Sequence, residues 1–151
     1  MTRRGRCRHG DAGFVGGTEG LLFGVLVCLL TAFLAVAVWG AAGARVAADA
    51  AAREASRAYV ELAEGGQPVA AAEAAARATL VERGRDPERA TVVVRTTAYE
   101  RCRRVVVEVT YDLPAIDLPL ARSLGAVTVT GRHSELVDPY RDGVPGEASC
   151  G

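Results

Sequence analysis

The chain has 151 residues, eighteen basic and eighteen acidic side chains, and no formal net charge at pH 7. No global field therefore draws it toward nucleic acid or an acidic substrate. Its length fits one small domain once a leader and an apolar span of about forty residues are set aside.

Residues 1–13, MTRRGRCRHGDAG, are basic and without periodicity. They read as a short cytoplasmic leader holding a reduced Cys7 and a solvated His9. Phe14 to Glu19 leads into the next segment, with Thr18 expected as N-cap and Glu19 in the first turn. Glu19 has two readings at this point. Its carboxylate is favoured near a helix N-terminus by the macrodipole, or it is kept as a polar contact for a neighbouring subunit.

Gly20 to Ala44, GLLFGVLVCLLTAFLAVAVWGAAGA, holds no charged residue and a single hydroxyl, Thr31. At about 1.5 Å per helical residue it reaches roughly 37 Å, enough to cross a hydrocarbon core of about 30 Å. A lone crossing segment has to be a helix, because each backbone N–H and C=O must find its partner internally. Arg3, Arg4, Arg6 and Arg8 crowd one flank, whereas Arg45, Asp49, Arg53 and Glu54 mix signs on the other. The N-terminus is expected in the cytoplasm and the following domain outside it. A rival reading is a cleavable signal with Ala42-Gly43-Ala44 as its cut, which would release a small secreted α+β binding domain. The apolar run exceeds the roughly 7–15 residues of a signal core, which favours retention.

The helical pattern continues through RVAADAAAREASRAYVELAEGG, with Ala48, Ala52, Ala55, Tyr59 and Leu62 on one face and a stop at Gly65-Gly66. Small residues recur every four positions at Gly16, Gly20, Gly24, Cys28 and Ala32, then at Gly40, Ala44, Ala48 and Ala52. This has the form of a small-xxx-small packing edge, and Gly16, Gly20 and Gly24 are its strongest part.

Pro68 opens a second helix, expected to lie antiparallel to the first, with Gly84 as its stop and Val69, Ala72, Ala76 and Leu80 on its apolar face. The period then changes. Strands are expected at Ala90–Thr97, Arg104–Leu113 and Ala126–Thr130. Val105, Val107, Val109, Tyr111 and Leu113 share the inner face of the second, and Val127 and Val129 point inward from the third. Between the last two strands, Pro114, Asp117 and Pro119 break the chain into a loop that Leu118, Leu120 and Leu124 would pin down. The fold class is α+β, with helices on one face of about three antiparallel strands. The domain divisions are 1–13, 14–44, 45–137, and a loose turn-rich tail, 138–151.

No phosphate loop, Cys-x-x-Cys pair or nucleophile elbow is present. His133, Ser134 and Glu135 read as exposed loop residues, so no catalytic, cofactor or metal residue is expected. With this topology only Cys102 and Cys150 face an oxidising exterior. Either they join within the chain, or Cys150 stays free or pairs with another chain.

The basic leader, the Gly-Gly-Thr-Glu at the start of the span and the Ala-Ala-Ala-Arg-Glu-Ala-Ser-Arg-Ala-Tyr beyond it together resemble the TadE-like family of pilus-assembly proteins, pseudopilin-like components of tight-adherence (Tad) systems. The resemblance covers about residues 13–64, and VTVTGRHSELVDPYR follows the family in outline only. It implies a single-pass membrane protein with a pilin-like head, made as a prepilin-like precursor. Its partners would be the lipid bilayer, other pilin-like or pilus-assembly proteins and a prepilin peptidase, with no nucleic acid and no small-molecule substrate. Such a peptidase cuts after a glycine, which points to Gly13-Phe14 and puts Glu19 at the sixth mature position. A cut after Phe14 restores the family's fifth position and loses the glycine.

Overall fold

High helix propensity without an internal proline makes α1 a single helix, Ala12–Val60. The computed structural model describes residues 12–62, 66–96, 98–114, 126–147 and 149–150. The leader through residue 11, with Cys7 and His9, and the loop carrying Leu118, Leu120 and Leu124 lie outside them. The chain forms two compact units, Met1–Val38 and Trp39–Gly151. That division falls a few residues before the expected one at Ala44, because Ala44 already belongs to the core of the second unit.

In the first unit α1 begins upstream of Thr18 and Glu19. Thr18 is therefore an interior helical residue and no cap, and Glu19 is not in the first turn. From Leu21 to Val38 the large apolar side chains are exposed. Thr31 Oγ1 lies 3.0 Å from the Val27 carbonyl and 2.9 Å from that of Cys28, so the one hydroxyl of the stretch is satisfied within its own helix.

The second unit holds the rest of α1, then α2 (Pro68–Glu82), a 3-10 turn (Pro87–Arg89), and β1 (Ala90–Arg95), β2 (Arg104–Pro114) and β3 (Ala126–Leu136). The strands are antiparallel in the order β1-β2-β3. Pro68 occupies the first turn of α2, and Gly84, with φ of 67°, takes the left-handed turn beyond its end.

Alternation along β2 buries Val105, Val107, Val109 and Tyr111. Val92 and Val94 of β1 and Val129 of β3 extend that face. Ala44, Ala47, Ala48, Ala51, Ala52, Ala55 and Tyr59 of α1 join the same core, as do Ala72, Ala76 and Leu80 of α2. Two residues expected on inner faces are incompletely buried at element ends. Val69, in the first turn of α2, is 43% exposed, and Val127, which shares the face of Val129 and lies opposite Leu113, is 45% exposed.

Alanine facing sheet lets two backbones approach closely, and Gly131 shows how closely. A Cβ there would run into the Ala48 carbonyl and the Asp49 nitrogen of α1. Farther along, Ser56 meets His133 and Glu135. The eight helical steps from Ala48 to Ser56 rise about 12 Å, and the four strand steps from Gly131 to Glu135 about 13 Å. The helix therefore follows β3.

Two segments differ from expectation. β3 continues to Leu136, because Arg132 to Leu136 pair with Glu108 to Arg104 in unbroken register. The tail is folded back and is not loose. Val144 is buried, as is Val137 just before the tail, and the Arg101 amide donates to the Pro145 carbonyl at 2.8 Å.

Candidate functional site

Three features could carry function: the apolar stretch of α1, a polar cluster between α1 and β3, and the clamp on the C-terminal segment.

α1 is long and apolar enough to cross a membrane, and none of the side chains in its apolar window is buried. Glu19 lies exposed at the start of this stretch. A side chain added at Gly17, Gly20 or Gly24 would meet no atom within 4 Å. The edge formed by Gly20 and Gly24 is thus vacant in the single chain. Gly13, Phe14 and Gly16 lie within the first turns of α1. The later members of the small-residue stripe, Ala44, Ala48 and Ala52, are used differently, since all three pack into the head's own core.

The polar cluster was not legible as such in the sequence. Ser56 is fully buried, and its Oγ lies 2.8 Å from the Arg53 carbonyl, 2.9 Å from His133 Nδ1 and 3.2 Å from Glu135 Oε2. His133 and Glu135 alternate on the helix-facing side of β3, opposite Val107 and Val105, and are strand residues where an exposed loop was expected. A serine hydroxyl carries one proton, and both the carbonyl and the carboxylate can only accept. The consistent arrangement has His133 Nδ1–H donating to Oγ, which passes its own proton to one of the two acceptors. A nucleophilic serine needs the reverse, an unprotonated imidazole nitrogen facing Oγ. Burial also denies Ser56 any substrate, so the cluster fixes helix to sheet. Ser56 continues the four-residue spacing of Ala48 and Ala52, and that spacing was the available signal.

Among the described residues no group of three His, Cys, Asp or Glu side chains is placed to hold a metal ion. An open hollow of about 360 Å³ is lined by Arg104, Val106, Arg132, His133 and Ser134.

At the other end of α1, Arg141 reaches the unpaired carbonyls that every helix terminus leaves. Nη1 donates to the Val60 carbonyl, and Nη2 to those of Glu61 at 2.5 Å and Leu62 at 2.6 Å. Arg101 Nε in turn donates to the Arg141 carbonyl at 3.0 Å. A disulfide joins Cys102 to Cys150 with a Cα–Cα distance of 5.2 Å, and Cys28 is a free, exposed thiol. Cys102 sits at φ of 60° in the turn before β2, where its amide donates to the Val137 carbonyl at 3.0 Å. The Arg57 guanidinium is held above its usual pKa by a hydrogen bond from Nε to Glu61 and by that carboxylate's charge. It stays charged at any ordinary pH.

Comparison of the chain with protein-family models, with curated proteins and with solved structures finds no match.

Proposed function

We propose that the chain is a non-enzymatic, single-pass membrane component of a Tad-type pilus assembly or secretion system, acting as a minor pseudopilin or assembly factor. The observation that carries this reading is an uncovered apolar helix, with a vacant glycine edge, whose own continuation builds the core of an α+β head. Such a helix in water would expose far more apolar surface than soluble monomers tolerate, and a bilayer or neighbouring helices remove that cost. The resemblance of residues 13–64 to TadE-like proteins supplies the choice of system. In this reading the N-terminus is cytoplasmic, the head lies outside the membrane, and Glu19 with Gly16, Gly20 and Gly24 meets other pilin-like subunits.

The alternative, a binding domain released by cleavage after Ala44, is disfavoured by one observation. Ala44 is 1% exposed, so that cut would strip the first residue of the head's core.

The test is the N-terminal sequence of the protein recovered from membranes, read by mass spectrometry. A start at Phe14 or Val15 is the outcome for a prepilin-type subunit, and an intact leader that of an uncleaved assembly factor. A start at Arg45 overturns the proposal. Replacing Gly20 and Gly24 by Leu should abolish co-purification with pilus components, and unchanged recovery would remove the glycine edge from the account.

A further inference from the structure

Arg85 lies in the link between α2 and β1. Its amide donates to the Leu80 carbonyl at 2.8 Å, which fixes where the side chain starts. That side chain reaches back to α1, where a Cβ on Gly43 would come within 2.9 Å of Nη2. Among the described residues its guanidinium forms no ion pair and donates no hydrogen bond. The neighbouring carboxylate in the chain is engaged elsewhere: Asp86 caps the 3-10 turn and pairs with Arg89 at 3.7 Å. A half-buried guanidinium whose fork of donors is unused among the described residues is set up for an oxyanion.

Trp39 indicates which oxyanion. It is the one tryptophan of the chain and is 83% exposed. It precedes Gly43 by four residues and so lies on the same side of α1. Tryptophan concentrates at membrane–water boundaries. The twenty helical steps from Glu19 to Trp39 rise about 30 Å, the thickness of a hydrocarbon core. The four steps from Trp39 to Gly43 add about 6 Å, which lies within the roughly 5–7 Å headgroup layer.

We propose that Arg85 binds the phosphate of an anionic phospholipid headgroup, with Trp39 marking the hydrocarbon boundary beneath it. The inference rests on the membrane-spanning reading above. It adds a lipid-binding residue contributed by the head.

The experiment uses the full chain reconstituted in phosphatidylcholine vesicles with and without one-quarter phosphatidylglycerol. Quenching of Trp39 fluorescence by brominated lipids should be strong for bromines near the headgroup end of the acyl chain and weak for bromines at the bilayer centre. Spin-labelled phosphatidylglycerol should associate in preference to spin-labelled phosphatidylcholine. Arg85→Gln should reduce that preference by about fivefold. Arg85→Lys keeps the charge but not the fork, so its preference should fall between those of the parent and Arg85→Gln. If Trp39 is quenched as expected but Arg85→Gln leaves the preference intact, the headgroup contact is overturned and the span stands. If Trp39 escapes quenching in every vesicle, the spanning reading and this inference fall together.

Discussion

Gly131 decides how near α1 can come to the sheet. It faces the helix opposite Val109, and a methyl group at its Cα would occupy the place of the Ala48 carbonyl and the Asp49 nitrogen. Backbone cannot turn aside as a flexible side chain can, so Gly131→Ala must lift the helix from β3 and loosen the packing over Val105, Val107 and Val109. We expect a loss at or above the top of the ~1–3 kcal/mol range for overpacked cores, read from denaturant unfolding of the full chain in detergent followed by circular dichroism. Gly24→Ala is the matched control, since nothing lies within 4 Å of that position. Stability equal to the parent in Gly131→Ala would mean that helix and strand are not in contact there. The sequence offers no warning about Gly131, because a glycine in a strand pattern reads equally as a bulge or an end. Ser56 was missed for a related reason: a hydroxyl in an alanine-rich helix looks like a solvated face until His133 and Glu135 arrive from a distant strand.

At the scale of elements, legibility follows how local the cause is. The alternation of β2 and the proline and glycine that bracket α2 were readable because each signal lies within its own segment. The second half of β3 was not. Arg132 to Leu136 contain little apolar patterning, and their strand conformation comes from pairing with Arg104 to Glu108. The C-terminal segment depends on still longer reach, through Arg141 on the end of α1 and the bond between Cys102 and Cys150. That bond closes a loop spanning a sequence separation of 48 residues and contributes about 4 kcal/mol in the chain-entropy model. Reduction, or Cys150→Ser, should lower the unfolding free energy of the head by roughly that amount. It should also speed amide exchange at Val137, whose N–H donates to the Arg103 carbonyl at 2.9 Å beside the turn that the disulfide holds. Unfolding midpoints that match with and without reductant would show that the hydrogen bonds of Arg101 and Arg141 hold the segment unaided.

The whole molecule divides into an N-terminal stretch of α1 that buries nothing by itself and a head whose core, α1 from Ala44 included, is complete without that stretch. Every buried apolar residue of the described chain lies at Ala44 or beyond. The apolar run was legible as a separate region because it carries no charge, but the start of the head's core was not, since the helix runs on unbroken from Trp39 through Ala44. It follows that the chain from Trp39 to Gly151 should fold alone, with its disulfide formed and a cooperative unfolding transition. A chain starting at Arg45 should fold too, but less stably. It loses the burial of the Ala44 methyl group, about 0.8 kcal/mol, together with the turn of α1 at Gly43 over which Arg85 lies. Denaturant titrations of the two chains, matched for oxidation, provide the comparison. A non-cooperative transition in the chain from Trp39 would mean that the head depends on residues 1–38, against the division seen in its core. Equal stability of the two chains would mean that the head begins after Ala44, where a secreted domain would begin, and the argument from burial for retaining the membrane helix would be lost.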